Sequence, residues 1–147
     1  MKGLKIITSV LLLAVICTAN ESEEILKEFE KYEAECREEN GVLKEESEDH
    51  LKKLCAGDEL DKKVGCYMAC FHTKIGALKD GEILTDSIEK SLISLIKHES
   101  VKDELLSKLD TCKAEASTES DDCDKTVEFT KCMIKGSELC TRILKKE

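Results

Sequence analysis

The chain has no proline and no tryptophan, and its 147 residues include only three phenylalanines and two tyrosines. No internal repeat and no long Gly/Ser linker divides it, so its length fits a single domain. With Phe29, Tyr32, Tyr67, Phe71 and Phe129 as the whole aromatic complement, the core must be aliphatic and thin. Positive charge is scarce as well: 23 basic residues face 32 acidic ones, and the net charge is −9. Such a surface disfavours nucleic acid and anionic membrane as partners. Strict apolar/polar alternation is missing, which argues against a β architecture. His50 follows Asp49, but no Gly-rich calcium loop or nucleophile signature accompanies the pair, so the chain does not read as an enzyme. Cys66 and Cys70 have a zinc-compatible spacing without a second knuckle to complete a tetrahedral set. Neither a metal nor a cofactor is expected.

The N-terminus bears on compartment. Lys2 and Lys5 precede an apolar run from Ile6 to Cys17, broken only by Thr8 and Ser9, and Cys17-Thr18-Ala19 ends it with small residues. This pattern predicts a secretory leader over 1–19, cleaved after Ala19. The run is too short for a membrane span of about 20 residues, and Glu21, Glu23 and Glu24 follow at once. The mature domain, 20–147, would keep 21 basic and 32 acidic residues, a net charge of −11, and eight of the nine cysteines. An even number of cysteines in an oxidising compartment predicts up to four disulfides.

The spacing of apolar residues is helical nearly throughout, which predicts an all-α fold of about six short helices. Ile25, Phe29, Tyr32 and Cys36 stripe a first helix, and Leu51, Leu54 and Cys55 a short second one. Leu60, Val64, Tyr67, Met68, Phe71 and Ile75 stripe a long third. Lys79-Asp80-Gly81 reads as a turn, since Gly81 adopts positive φ at little cost. Asp86 with Glu89 resembles a capping box opening a fourth helix, striped by Ile88, Leu92, Leu95 and Ile96. Ser100 is the expected cap of a fifth, with Val101, Leu105, Leu109 and Cys112 on one face. After a polar loop, a sixth runs from about Asp122 to Lys135 and stops at Gly136. Leu139, Ile143 and Leu144 give the tail helical spacing, as for a short lid.

Six cysteines (Cys36, Cys66, Cys70, Cys112, Cys123 and Cys132) are separated by 29, 3, 41, 10 and 8 residues. Cys66 and Cys70 are one helical turn apart on one face, so each is expected to bridge to another element. Cys123 and Cys132 fall on opposite faces of the sixth helix, which can be pinned from both sides. The pattern describes a compact disulfide-cross-linked bundle. Such constraints permit helices to stand apart around an apolar cavity.

Cys-x3-Cys followed after an intervening segment by Cys-x8-Cys resembles the six-cysteine signature of the insect odorant-binding and pheromone-binding protein family. The leader, length, acidity and helix number extend the resemblance over the mature chain. It implies pairing of first with third, second with fifth and fourth with sixth cysteine: Cys36–Cys70, Cys66–Cys123 and Cys112–Cys132. Sequence alone would leave about a hundred pairings. Cys55 and Cys140 depart from the six. A fourth bridge between them, tying the tail to the second helix, is the favoured expectation, with an intermolecular disulfide as its rival. The absence of proline departs from family members with extra cysteines, which often carry one after the sixth.

The resemblance implies an extracellular carrier of small hydrophobic molecules such as odorants, pheromones or lipids, with a membrane receptor as partner at delivery. A monomer or weak homodimer is expected. Residues on inward stripes near the bridges are candidate ligand contacts: Leu54, Met68, Phe71, Ile75, Leu92, Leu95, Ile96, Leu109, Val127 and Met133. Plain core packing would satisfy the same periodicity. The scarcity of aromatics points to flexible aliphatic ligands; one of about 15 heavy atoms would bind near micromolar. His50, His72 and His98 are candidates for an acid-triggered release, although three ordinary surface histidines is the simpler expectation. The rival function keeps the fold and acts through protein–protein interaction or as a scavenger outside olfaction.

Overall fold

The computed structural model describes residues 21–145, with side chains from Glu23 onward; the expected leader and its Cys17 lie outside them. The fold is all-α. Its helices are α1 (Glu21–Asn40), α2 (Lys44–Ala56), α3 (Lys62–Lys74), α4 (Thr85–Leu95), α5 (Glu99–Ala116), α6 (Asp122–Ile134) and α7 (Glu138–Lys145). The first six correspond to the six expected helices, and α7 is the tail. A minimal hairpin, β1 (Leu78–Lys79) and β2 (Glu82–Ile83), sits between α3 and α4. Asp80 and Gly81 form its two-residue turn, both with positive φ (51° and 77°), the backbone that the right-handed twist of a hairpin favours. No apolar alternation announces strands of two residues.

α3 is the centre of the bundle, packed between α1 and α6, while α6 also lies along α5. α4 packs on α5, and α7 on α2. The apolar stripes supply the interior: Phe29, Tyr67, Met68, Phe71, Leu95, Leu105, Phe129 and Met133 are all buried. α3 is shorter than its stripe suggests, because Leu60 precedes the capping residue Asp61 and Ile75 lies just past the last turn. The Asp61 carboxylate accepts a hydrogen bond from Lys63 N at 3.3 Å, and Asp121 caps α6 by accepting from Asp124 N at 3.0 Å. Lys62 joins the two helix starts, with Nζ 2.8 Å from Asp121 and 2.9 Å from Asp124.

Two expected helix starts are corrected. α4 begins after Leu84, with no side-chain cap, so Asp86 lies within the first turn instead of capping it. The preceding hairpin delivers the chain in extended geometry at Leu84, which sets the start without a polar cap. α5 begins after His98, and Ser100 is its second residue; the Ser100 hydroxyl donates to Glu138 at 2.8 Å, tying α5 to α7.

All eight cysteines among the described residues are paired. Cys36–Cys70, Cys66–Cys123 and Cys112–Cys132 are the bridges that the six-cysteine resemblance implies, and Cys55–Cys140 is the fourth, formed within the chain. The α3–α6 crossing is unusually close where Cys66 and Cys123 join, with Cα atoms 4.4 Å apart. Gly65 permits this approach: a Cβ there would lie 3.0 Å from Cγ2 of Val127 and 3.3 Å from the Cys123 carbonyl oxygen. Contacts that short require the neighbour to shift.

Candidate ligand cavity

A cavity of about 140 Å³ lies inside the bundle, walled almost entirely by apolar atoms. α3 forms one wall with Met68, Phe71 and His72, continued by Ile75 beyond its end. α4 faces it with Ile88, Ser91, Leu92 and Leu95, and α6 contributes Phe129, Thr130, Met133 and Ile134. Phe29 of α1, Leu105 of α5 and Leu139 of α7 close the remaining sides, with His50 and Leu51 from α2. Ile75, Ile88, Ser91 and Thr130 are only half-buried and mark the side nearest solvent.

Of the ten candidate contacts, Met68, Phe71, Ile75, Leu92, Leu95 and Met133 come together on this cavity. The other four lie elsewhere. Leu54 and Val127 border a separate acidic groove with Asp58, Glu59 and Glu128. Ile96 and Leu109 are buried in the core without reaching the cavity. Leu105, one turn before Leu109 on α5, occupies the cavity wall instead. His72 was recoverable from spacing, since it follows Met68 by one helical turn. His50 neighbours Leu51 and stands one turn before Leu54 on the buried side of α2.

The histidines are not three surface residues. His50 is 1% exposed, and its ring meets Tyr67 edge to face with centroids 5.8 Å apart. Burial pushes its pKa down to about 4, against the hydrogen bond to Ser47, which raises it, so the ring is neutral near physiological pH. His72 is half-buried on the cavity wall, and desolvation lowers its pKa too. Its Nδ1 lies 2.8 Å from the Met68 carbonyl oxygen. His98 directly precedes α5. Arg142 Nη2 is 3.4 Å from its Nδ1.

A buried carboxylate completes the polar interior. Glu33 of α1 is 1% exposed, and its Oε2 accepts from the Tyr67 hydroxyl at 2.8 Å. Among the described residues no group of three or more His, Cys, Asp or Glu side chains is placed to hold a metal ion. None of the described helices is long and apolar enough to cross a membrane.

A disulfide-locked helical bundle around an apolar cavity with a few polar wall groups has the form of a small-ligand-binding protein. The PBP/GOBP family model matches residues 18–136, and the chain belongs to that family, the insect odorant- and pheromone-binding proteins. Members of this family bind small ligands and act as carriers, not as enzymes. A comparison with curated proteins finds no match.

Proposed function

We propose that the chain is a secreted carrier that takes one small lipophilic molecule into the cavity between α3, α4 and α6. The observation that carries this reading is the cavity itself: an apolar void of about 140 Å³ inside a bundle cross-linked by four disulfides. Met68, Phe71, Ile75, Leu92, Leu95 and Met133 are the proposed contacts. The volume is below the roughly 300–1,000 Å³ of typical ligand pockets. It is close to that of an engineered apolar cavity of about 150 Å³ that holds benzene. The ligand is therefore compact, on the order of ten heavy atoms, smaller than the roughly 15 expected from the sequence. At about −0.6 kcal/mol per atom it would bind with a Kd of tens of micromolar. Longer ligands require the flexible side chains of Met68 and Met133 to move aside.

The tail gives little support to a protein-interaction role. Leu139 and Ile143 are buried, and the exposed apolar residues are scattered: Leu43 just before α2, Ile93 on α4 and Leu144 on α7. Titration with a fluorescent lipophilic probe tests the carrier reading. Saturable uptake at one site per chain, reversed by short aliphatic competitors, is expected. Absence of any uptake would reject it.

A further inference from the structure

His50 Nδ1 lies 2.5 Å from the Ser47 carbonyl oxygen. A carbonyl oxygen only accepts, so Nδ1 must carry the proton and donate it there. In the neutral ring this leaves Nε2 with a lone pair and no hydrogen. Nε2 is buried, has no hydrogen-bond partner in the protein, and belongs to a residue on the cavity wall. Leaving a buried acceptor unpaired is costly, and nearly all such atoms in folded proteins are paired.

The other polar wall groups have the same bias. His72 donates its Nδ1 hydrogen to the Met68 carbonyl oxygen, which makes its Nε2 an acceptor as well. The Ser91 hydroxyl donates to the Ser87 carbonyl oxygen at 3.1 Å, leaving its own lone pairs. Thr130 retains a hydroxyl that can donate or accept. The few polar groups on this apolar wall are therefore mainly acceptors.

We infer that the cavity selects its ligand through a hydrogen-bond donor, a neutral hydroxyl group directed at Nε2 of His50. This deepens the carrier reading and rests on it. A carboxylate would bring further lone pairs and a charge into an apolar site. A protonated amine would also bury its charge. Aldehydes, esters and ethers can accept from Thr130 but offer nothing to His50. An alcohol donates to His50 and can still accept from Thr130. The low pKa of His50 supports the assignment, because a protonated ring would lose the acceptor.

The test uses the intact disulfide-bonded protein with a bound fluorescent lipophilic probe, displaced by octanol or by its isomer methyl heptyl ether. Octanol should displace the probe at a concentration at least about tenfold lower than the ether, the effect of one buried acceptor left unpaired. In His50→Phe the gap should close to within about twofold. A second readout needs no variant: the ¹⁵N signal of His50 Nε2 should move upfield with octanol and stay in place with the ether. Equal displacement by the two isomers in the wild-type protein would overturn the donor preference while leaving the carrier reading intact. A gap that persists in His50→Phe, or an unmoved Nε2 signal at octanol saturation, would overturn the role of His50. Failure to take up probe or either isomer would overturn both readings.

Discussion

Cys55 and Cys140 are bonded to each other across 85 residues of sequence, with Cα atoms 5.4 Å apart, and this bond holds α7 on α2. The consequence for the cavity is direct, because the residue before Cys140 is Leu139, part of its wall. Replacing both cysteines by serine should free the tail. With Cys66–Cys123 intact, the loop removed from the unfolded chain is a few dozen residues, so the loss is expected at about 3–4 kcal/mol. Denaturant titration measures it, and hydrogen exchange should show lost protection over 138–145.

Gly65→Ala should also destabilise, by about 1–3 kcal/mol, since its methyl group would press on Val127 and on the Cys123 carbonyl. Adding Val127→Ala should recover part of the loss, because it removes the closer of the two contacts. Recovery to full wild-type stability would contradict this account, since the backbone contact remains.

His50 makes stability depend on pH. Its folded pKa of about 4 is below the unfolded value of 6.5, so the unfolded chain binds a proton first as pH falls. The contribution is fully present above about pH 6.5, declines toward pH 4, and totals roughly 3 kcal/mol. His72 acts in the same direction. The carboxylates of Glu46, Asp121 and Glu138, held below their usual range by hydrogen bonds, lose stability only at lower pH. Urea midpoints at pH 7.5 and pH 5 should therefore differ in the wild type, and differ less in His50→Phe.

Filling the cavity should separate binding from folding. Leu92→Phe places a larger ring against the void, and probe affinity should fall at least about tenfold while the melting temperature is kept or raised. Loss of stability with unchanged binding would mean that the ligand lies elsewhere.

Much of the fold was legible because it is periodic. The stripes through Phe29, Met68 and Leu92 marked their helices and inner faces, and the family resemblance carried by the six cysteines implied three of the cross-links. Helix starts at Leu84 and His98 were not legible, because neither residue caps its helix with a side-chain hydrogen bond that would leave a signal in the sequence. Six of the wall residues follow from the stripes, but Leu54, Ile96, Leu109 and Val127 sit on the same stripes without reaching the cavity. Which turn of a buried face meets a void depends on how helices cross, and a single helix carries no record of that. His50 escaped because a buried histidine looks like a surface one until its neighbours are known.

The most direct test of the central claim is native mass spectrometry of the protein before and after extraction with organic solvent. The account predicts a removable mass on the order of 150 Da, with a shift of eight hydrogens on reduction from the four disulfides. A chain with no removable mass, and no uptake of a lipophilic probe after extraction, would contradict a carrier built around this cavity.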